Sequence, residues 1–199
     1  FVDELQVQGV GKRRARQEVE ASIDRLIYYA GWSDKYQQIF SAVNPVSSSH
    51  FNFSVLEPTG VVSVLAPDDS GLLGLVSNIA PVIVGGNTAV VLASEHMPLC
   101  AVSFAEVLHA SDVPAGVVNL LTGYREELQA QFASHMDVNA VIYCDADEAA
   151  STEIESRAAE NIKRVIDRAG VDWADGDSQS PYLIKQTQET KTTWHPIGS

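Results

Sequence analysis

Cysteine is scarce: the 199 residues hold only Cys100 and Cys144. Two thiols cannot build a disulfide scaffold, and neither cysteines nor histidines recur at zinc spacing, so a reducing, cytoplasmic setting is expected. Cations are scarce as well, with 13 Lys and Arg against 26 Asp and Glu and a formal net charge of -13. With no basic run to offset that balance, neither nucleic acid nor an anionic membrane is expected as a partner. Long apolar runs are missing. The most apolar stretch, Leu72 to Val84, is interrupted by Ser77, Asn78 and Pro81 and is too short to cross a bilayer. The N-terminus is polar rather than signal-like. His50, His96, His109, His135 and His195 are scattered without a ligand partner at useful spacing, so no metal site is expected.

What is present is enough apolar material, 45% of the residues, for one well-cored domain. Val19, Ile23, Leu26, Ile27 and Ala30 recur at helical spacing and predict a long amphipathic helix from Arg13 to Trp32. Gln37 to Val43 and Phe51 to Leu56 are compatible with two strands of a hairpin, separated by Asn44, Pro45 and three serines. Past Gly60 short β-branched runs alternate with helical ones. Strands are expected at Val61 to Leu65, Ala89 to Leu92, Val117 to Leu121 and Ala140 to Tyr143. Helices are expected between them at Leu72 to Val84, Met97 to Ala110 and Glu126 to Ser134. That alternation is the signature of an α/β fold with a doubly wound parallel sheet. A further helix is expected from Glu148 to Arg168, then a linker and an extended tail from Tyr182 to Trp194. The organisation read from this is a helical segment at 1–36, a hairpin at 37–56, the α/β domain at 57–170, a linker at 171–180 and a strand at 181–199.

Several segments resemble one family in order. Glu57-Pro58-Thr59-Gly60-Val61, Gly86-Asn87-Thr88-Ala89-Val90-Val91 and Pro114-Ala115-Gly116-Val117-Val118-Asn119 are similar to the E-P-x-G-V, G-N-T-x-V-x and P-x-G-V-x-N motifs of aldehyde dehydrogenases. The preceding helix, with Tyr28-Tyr29-Ala30-Gly31-Trp32-Ser33, also resembles that family, and the likeness runs from Glu18 to Tyr143. It implies a Rossmann-like cofactor domain, NAD(P) as the family's cofactor, and a small antiparallel sheet of hairpin and tail that serves in oligomerisation. Ile39, Phe51, Phe53, Tyr182, Ile184 and Trp194 are the interface candidates on that reading.

Set beside the family's pattern, the functional positions depart from it. The G-Q-x-C segment with the catalytic cysteine and the E-L-G-G segment are not found, and neither Cys100 nor Cys144 stands in the nucleophile's context. Asp69 replaces the asparagine of the family's P-W-N-F-P run, putting an acceptor where an oxyanion needs a donor. Leu92 replaces a ribose-contacting lysine, while Glu95 matches the ribose-binding glutamate. Without a gap, the pyrophosphate-binding G-S-T-x segment falls on Asp145-Ala146-Asp147-Glu148, whose charges oppose a pyrophosphate. Aligning Ser151-Thr152-Glu153-Ile154 there needs an insertion. Helix capping also accounts for the acidic run.

The resemblance therefore implies a non-catalytic module, similar to the incomplete second copy of the two-copy, sixteenth-family enzymes, for oligomerisation and scaffolding. No cofactor is expected to bind tightly; the expected partner is another copy or an active aldehyde dehydrogenase copy. Because the sequence starts at Phe1, it is expected to be a piece of a longer polypeptide. Two other readings stay open: an NAD(P)-dependent enzyme whose catalytic half comes from other sequence, and a module that binds a different, cationic ligand in the altered crevice.

Overall fold

The computed structural model describes residues 1–145 and 147–198. The chain opens with α1 (Val2–Val7) and α2 (Lys12–Ala30), then α3 (Tyr36–Phe40), β1 (Ala42–Asn44) and β2 (His50–Pro58). The alternating part follows as β3 (Val61–Leu65), α4 (Leu73–Val84), β4 (Thr88–Leu92), α5 (Leu99–Ala110), β5 (Val118–Leu121), α6 (Arg125–Ser134), β6 (Ala140–Tyr143), α7 (Glu148–Ala159) and β7 (Arg164–Asp167). A 3-10 turn at Gly176–Ser178, α8 (Pro181–Gln186) and β8 (Gln188–Pro196) close it.

Five parallel strands form the main sheet in the order β5-β4-β3-β6-β7. Strand period two divides the core between its faces. Val62, Val64, Ala89, Val91, Ala140 and Ile142 point towards α4 and α5 and join the larger cluster, which also takes in Leu5 of α1. Leu65, Leu92, Val141 and Tyr143 point the other way, onto Phe132 of α6 and Ile154 of α7. Gly60 turns β2 into β3 at φ 126°, and a Cβ there would lie 2.3 Å from the Asn139 Oδ1 that accepts the Val61 amide. Only glycine fits both constraints.

The helix at α4 is held at its start by a carboxylate from another element. Glu18 on α2 is buried, and its Oε1 accepts from Ser70 Oγ at 2.8 Å and from the amides of Leu72 and Leu73 at 2.9 and 3.2 Å. These N–H groups have no helical partner of their own, and a negative charge complements the helix dipole there. Sequence positions 18 and 72 are thus tied before any apolar contact between α2 and α4 is counted.

A second sheet, β1-β2-β8, is antiparallel, and β8 pairs with β2 at nine positions from His50↔Pro196 to Pro58↔Gln188. Here the structure corrects four expectations. Residues 36–40 are helical, so the strand expected at Gln37 to Val43 shrinks to β1; Gln37 bonds Leu56 through its side chain instead. The helix expected to reach Arg168 stops at Ala159, because Ile162 turns at φ 58° and Val165 and Ile166 pair with β6 as β7. Sheet pairing overrides the local helical pattern. The stretch 171–180 is no loose linker: Trp173 and Ser178 are buried in it. The tail begins as a helix, α8, with Ser180 accepting the Tyr182 amide at the N-cap and Pro181 in the first turn.

That last correction moves Ile184. It is fully buried with Tyr29 and Ala80, where α8 meets α2 and α4, and so belongs to the interior of the chain rather than to an interface. Replacing it with alanine, Ile184→Ala, is expected to lower unfolding stability by about 2–4 kcal/mol, as for other fully buried branched side chains. Urea titration checks this; a loss under about 1 kcal/mol would place the side chain at the surface.

Candidate functional site

In an open parallel sheet, ligands bind beyond the carboxyl ends of the strands where the strand order reverses. In this sheet the reversal lies between β3 and β6. Chain leaving β3 runs through Ala66, Pro67 and Asp68, and chain leaving β6 through Cys144 and Asp145.

The space between them is spanned by Arg125, the first residue of α6. Its Nη2 donates to the Ala66 carbonyl at 2.5 Å and to Asp68 Oδ2 at 3.3 Å, and its Nη1 stands 3.8 Å from Asp145 Oδ2. The side chain is only 11% exposed. Asp68 is bound on its other oxygen as well: Oδ1 accepts from Ser94 Oγ at 2.8 Å and from the Glu95 amide at 2.7 Å, with His96 Nδ1 3.7 Å away. Glu95 Oε2 in turn accepts the backbone N–H of Arg125 at 3.0 Å. The ends of β3, β4 and β6 and the start of α6 are thereby joined by one network of charged side chains.

The sequence-derived candidates distribute around this network. Glu95 is in it, tied to the first turn of α6. Asp145 is in it as an ion-pair partner of Arg125. Leu92 is 1% exposed on the α6 and α7 face and is a core residue. Ala146 lies outside the described residues. Asp147 is the N-cap of α7, its Oδ1 accepting the amides of Ala149 and Ala150, which gives part of the acidic run a structural task.

Asp69 faces a neighbouring cleft of about 610 Å³ bordered by Arg14, Gln17, Glu18, Ser70 and Trp173. The Trp173 indole N–H donates to Asp69 Oδ1 at 3.2 Å, and Arg14 Nη2 donates to the Asp69 carbonyl at 3.3 Å. Trp173 belongs to residues 168–180, which two buried arginines fasten down. Arg25 donates to Ser77 Oγ at 2.6 Å, to Ser178 Oγ at 2.8 Å and to the Trp173 carbonyl at 3.1 Å. Arg168 donates to Asn78 Oδ1 and to the Ser178 carbonyl, both at 3.1 Å, and lies 4.8 Å over the Trp173 ring. Burial pushes both guanidinium pKa values down, yet an arginine keeps its charge in such a site.

The two thiols are poor nucleophiles. Both are buried, and burial pushes each pKa up to about 12, outweighing the Arg168 charge near Cys144. Among the described residues no group of three or more His, Cys, Asp or Glu side chains is placed to hold a metal ion.

Comparison with known proteins decides the family. The model of the aldehyde dehydrogenase family matches residues 4–172. This chain belongs to the aldehyde dehydrogenase family. It is 33% identical over 168 residues to aldehyde dehydrogenase, cytosolic 1, of Elephantulus edwardii, covering 82% of this chain and 33% of that protein. Against retinal dehydrogenase 2 of Mus musculus it is 32% identical over 177 residues, covering 86% and 33%. The chain thus spans about a third of the length of the curated relatives it matches. Among solved structures, PnpE from Pseudomonas sp. WBC-3 superimposes with a TM-score of 0.78 at 26% identity, over 84% of this chain and 35% of that one. A structure of PnpE in complex with nicotinamide adenine dinucleotide gives 0.80 at 26% identity, over 85% and 34%.

The family's dinucleotide does not fit the residues here. A pyrophosphate at the strand reversal would have to displace the Arg125 guanidinium and then face Asp68 and Asp145, two carboxylates held where an anion needs donors. Arg125 and Trp173, the side chains that fill the two places, carried no motif in the sequence. The available signals were an arginine directly after Gly123-Tyr124 at a helix start and an aromatic residue inside an Asp/Gly/Ser-rich stretch.

Asp68 also gives the crevice a pH signature. Burial works to raise its pKa, but the bonds from Ser94, the Arg125 charge and the Glu95 and His96 amides outweigh it and hold the carboxyl below the usual range. A folded-state pKa depressed in this way contributes stability that is complete above the unfolded value, about 4, and is lost as pH falls through the folded value. Wild type should exceed Asp68→Asn by about 2 kcal/mol at pH 6, the gap narrowing below about pH 4. Urea unfolding of both proteins from pH 7 to 3 checks this; a gap that stays constant or widens towards acid would contradict it.

Proposed function

We propose that this chain is a non-catalytic aldehyde-dehydrogenase-like module whose role is assembly, within a longer polypeptide of that family. The observation that carries the proposal is the apolar face of the small sheet. Val43 is 68% exposed and Phe51 45%, and Phe51 packs on Phe53 at 5.5 Å between ring centroids, all on one side of β1 and β2. Of the other interface candidates, Ile39 and Tyr182 are exposed on α3 and α8, while Trp194 is exposed on the opposite face of the sheet, across from Asn52 and against His50. A contiguous apolar patch on a short sheet with a free edge at β1 is the kind of surface that a second subunit covers. The partner on this reading is another copy of the chain or an active aldehyde dehydrogenase copy.

The chemistry of the interior supports the same reading. Between β7 and β8 the chain holds the strap at 168–180 and α8, a stretch without a cysteine, and Asp69 presents a carboxylate already bonded to Trp173. NAD(P), the family's cofactor, is proposed not to bind tightly. A cytoplasmic setting is proposed because both cysteines are free and buried. No helix among the described residues is long and apolar enough to cross a membrane.

Sedimentation at low and high salt tests the proposal. Wild type is expected to self-associate, more strongly as salt screens the charge of -13, whose repulsion reaches about 10 Å at 0.1 M salt. Phe51→Glu, placed on the exposed face, should shift it to monomer with folding intact. A wild type that stays monomeric, or an unchanged oligomer in Phe51→Glu, would contradict the assembly role. Aldehyde-dependent reduction of NAD or NADP above a buffer blank would favour the enzymatic reading instead.

A further inference from the structure

We propose that Arg125 is the resident ligand of the crevice: an intramolecular cation that Asp68 and Asp145 receive where other sheets of this architecture receive an external molecule. The inference rests on the reading that this crevice takes no nucleotide, and it adds which chemistry the crevice now selects.

The geometry gives three reasons. The guanidinium bridges both sides of the strand reversal, reaching Ala66 and Asp68 beyond β3 and Asp145 beyond β6. It is therefore placed as a ligand would be, across the gap, and not along its rim. One acceptor, Asp68, has partners of its own besides Arg125: it is oriented by the Ser94 hydroxyl and the Glu95 amide, which leave Oδ2 turned towards Arg125. Finally, the fit is that of a guest on a tether. Among the described residues Nε and Nη1 are shut off from solvent with no hydrogen-bond acceptor, and Asp145 Oδ2 stands 3.8 Å from Nη1, at ion-pair distance. A free guanidinium, released from the Cα of Arg125, can rotate to meet those acceptors; a compact ammonium matches them less well, because its charge is not spread over a planar fork.

Emptying the site should therefore create a receptor for a small planar cation and not for a dinucleotide. Two opposed ideas make different predictions. If Arg125 merely blocks space, removing it should admit NAD. If it is a charge-matched occupant, removing it leaves carboxylates that still repel pyrophosphate and now accept a cation.

The test is thermal melting of wild type, Arg125→Ala and the double variant Arg125→Ala with Asp68→Asn, each with methylguanidinium chloride up to about 50 mM and with sodium chloride at the same ionic strength. Loss of a charge that is almost fully enclosed should lower the melting temperature of Arg125→Ala by about 5 °C or more. Methylguanidinium should restore a saturable part of that, about 3 °C, through preferential binding to the folded state. Wild type and the double variant should show no gain over sodium chloride. Equal responses of wild type and Arg125→Ala, or none in Arg125→Ala, would overturn the inference. Should Arg125→Ala not fold by itself, refolding it in methylguanidinium is expected to recover folded protein where sodium chloride does not, and equal failure in both overturns the inference too. NAD bound by Arg125→Ala but not by wild type would also overturn it while leaving the proposed function intact; NAD bound by wild type contradicts the proposed function itself.

Discussion

A guanidinium lying across the reversal of strand order sets the character of this molecule. Parallel strands end there with outward-directed backbone groups and room for a ligand, and the Arg125 side chain joins the ends of β3 and β6 through Ala66, Asp68 and Asp145. Taking that cation from water into an enclosed site costs several kcal/mol, so its carboxylate partners are a condition of its being there. Once they are present, the crevice has the polarity opposite to the one a dinucleotide requires. The Glu95 carboxylate, matched to a ribose contact by sequence, is engaged with the first turn of the helix that delivers the arginine.

A second set of buried cations does comparable work on the other side of α4. Arg25 and Arg168 gather the serine, asparagine and carbonyl oxygens of α4 and of residues 168–180, and in doing so press Trp173 over Asp69. Glu18 fixes the start of α4 from the same helix that carries Arg25. The short connection from β7 to β8 is thereby a packed part of the fold, and the small sheet is held at a fixed place beside the main one through Ile184 and the α8 helix. A packed platform with an exposed apolar face suits the assembly role proposed for it.

How much of this the sequence carried depended on range. The β-branched runs at β3, β4 and β6 and the glycine-marked turns between them are local signals, and they gave the α/β architecture and the family resemblance. Elements decided by distant partners were read less well. Val165 and Ile166 fit a helical stripe until β6 offers a pairing edge, and Tyr182 and Ile184 fit a strand until Tyr29 and Ala80 offer a pocket. In that case a local signal existed, since Ser180-Pro181 is a helix start in its own right. Asp69, Leu92 and Asp145 could be singled out as departures because a family pattern names those positions. Arg125 and Trp173 could not: their roles arise from residues 57 and 104 positions away.

Arg125 occupies the crevice at the strand reversal. The proposed closure of that crevice to the family's dinucleotide is tested most directly by an amide-resolved NMR titration of the whole chain with NAD into the millimolar range, following Asp68, Ser94, Glu95, Arg125 and Asp145. The account predicts that these amides show no saturable shift, with any drift equal to that from matched salt. Saturable shifts centred on those residues would show that the dinucleotide enters where Arg125 lies, and would contradict it.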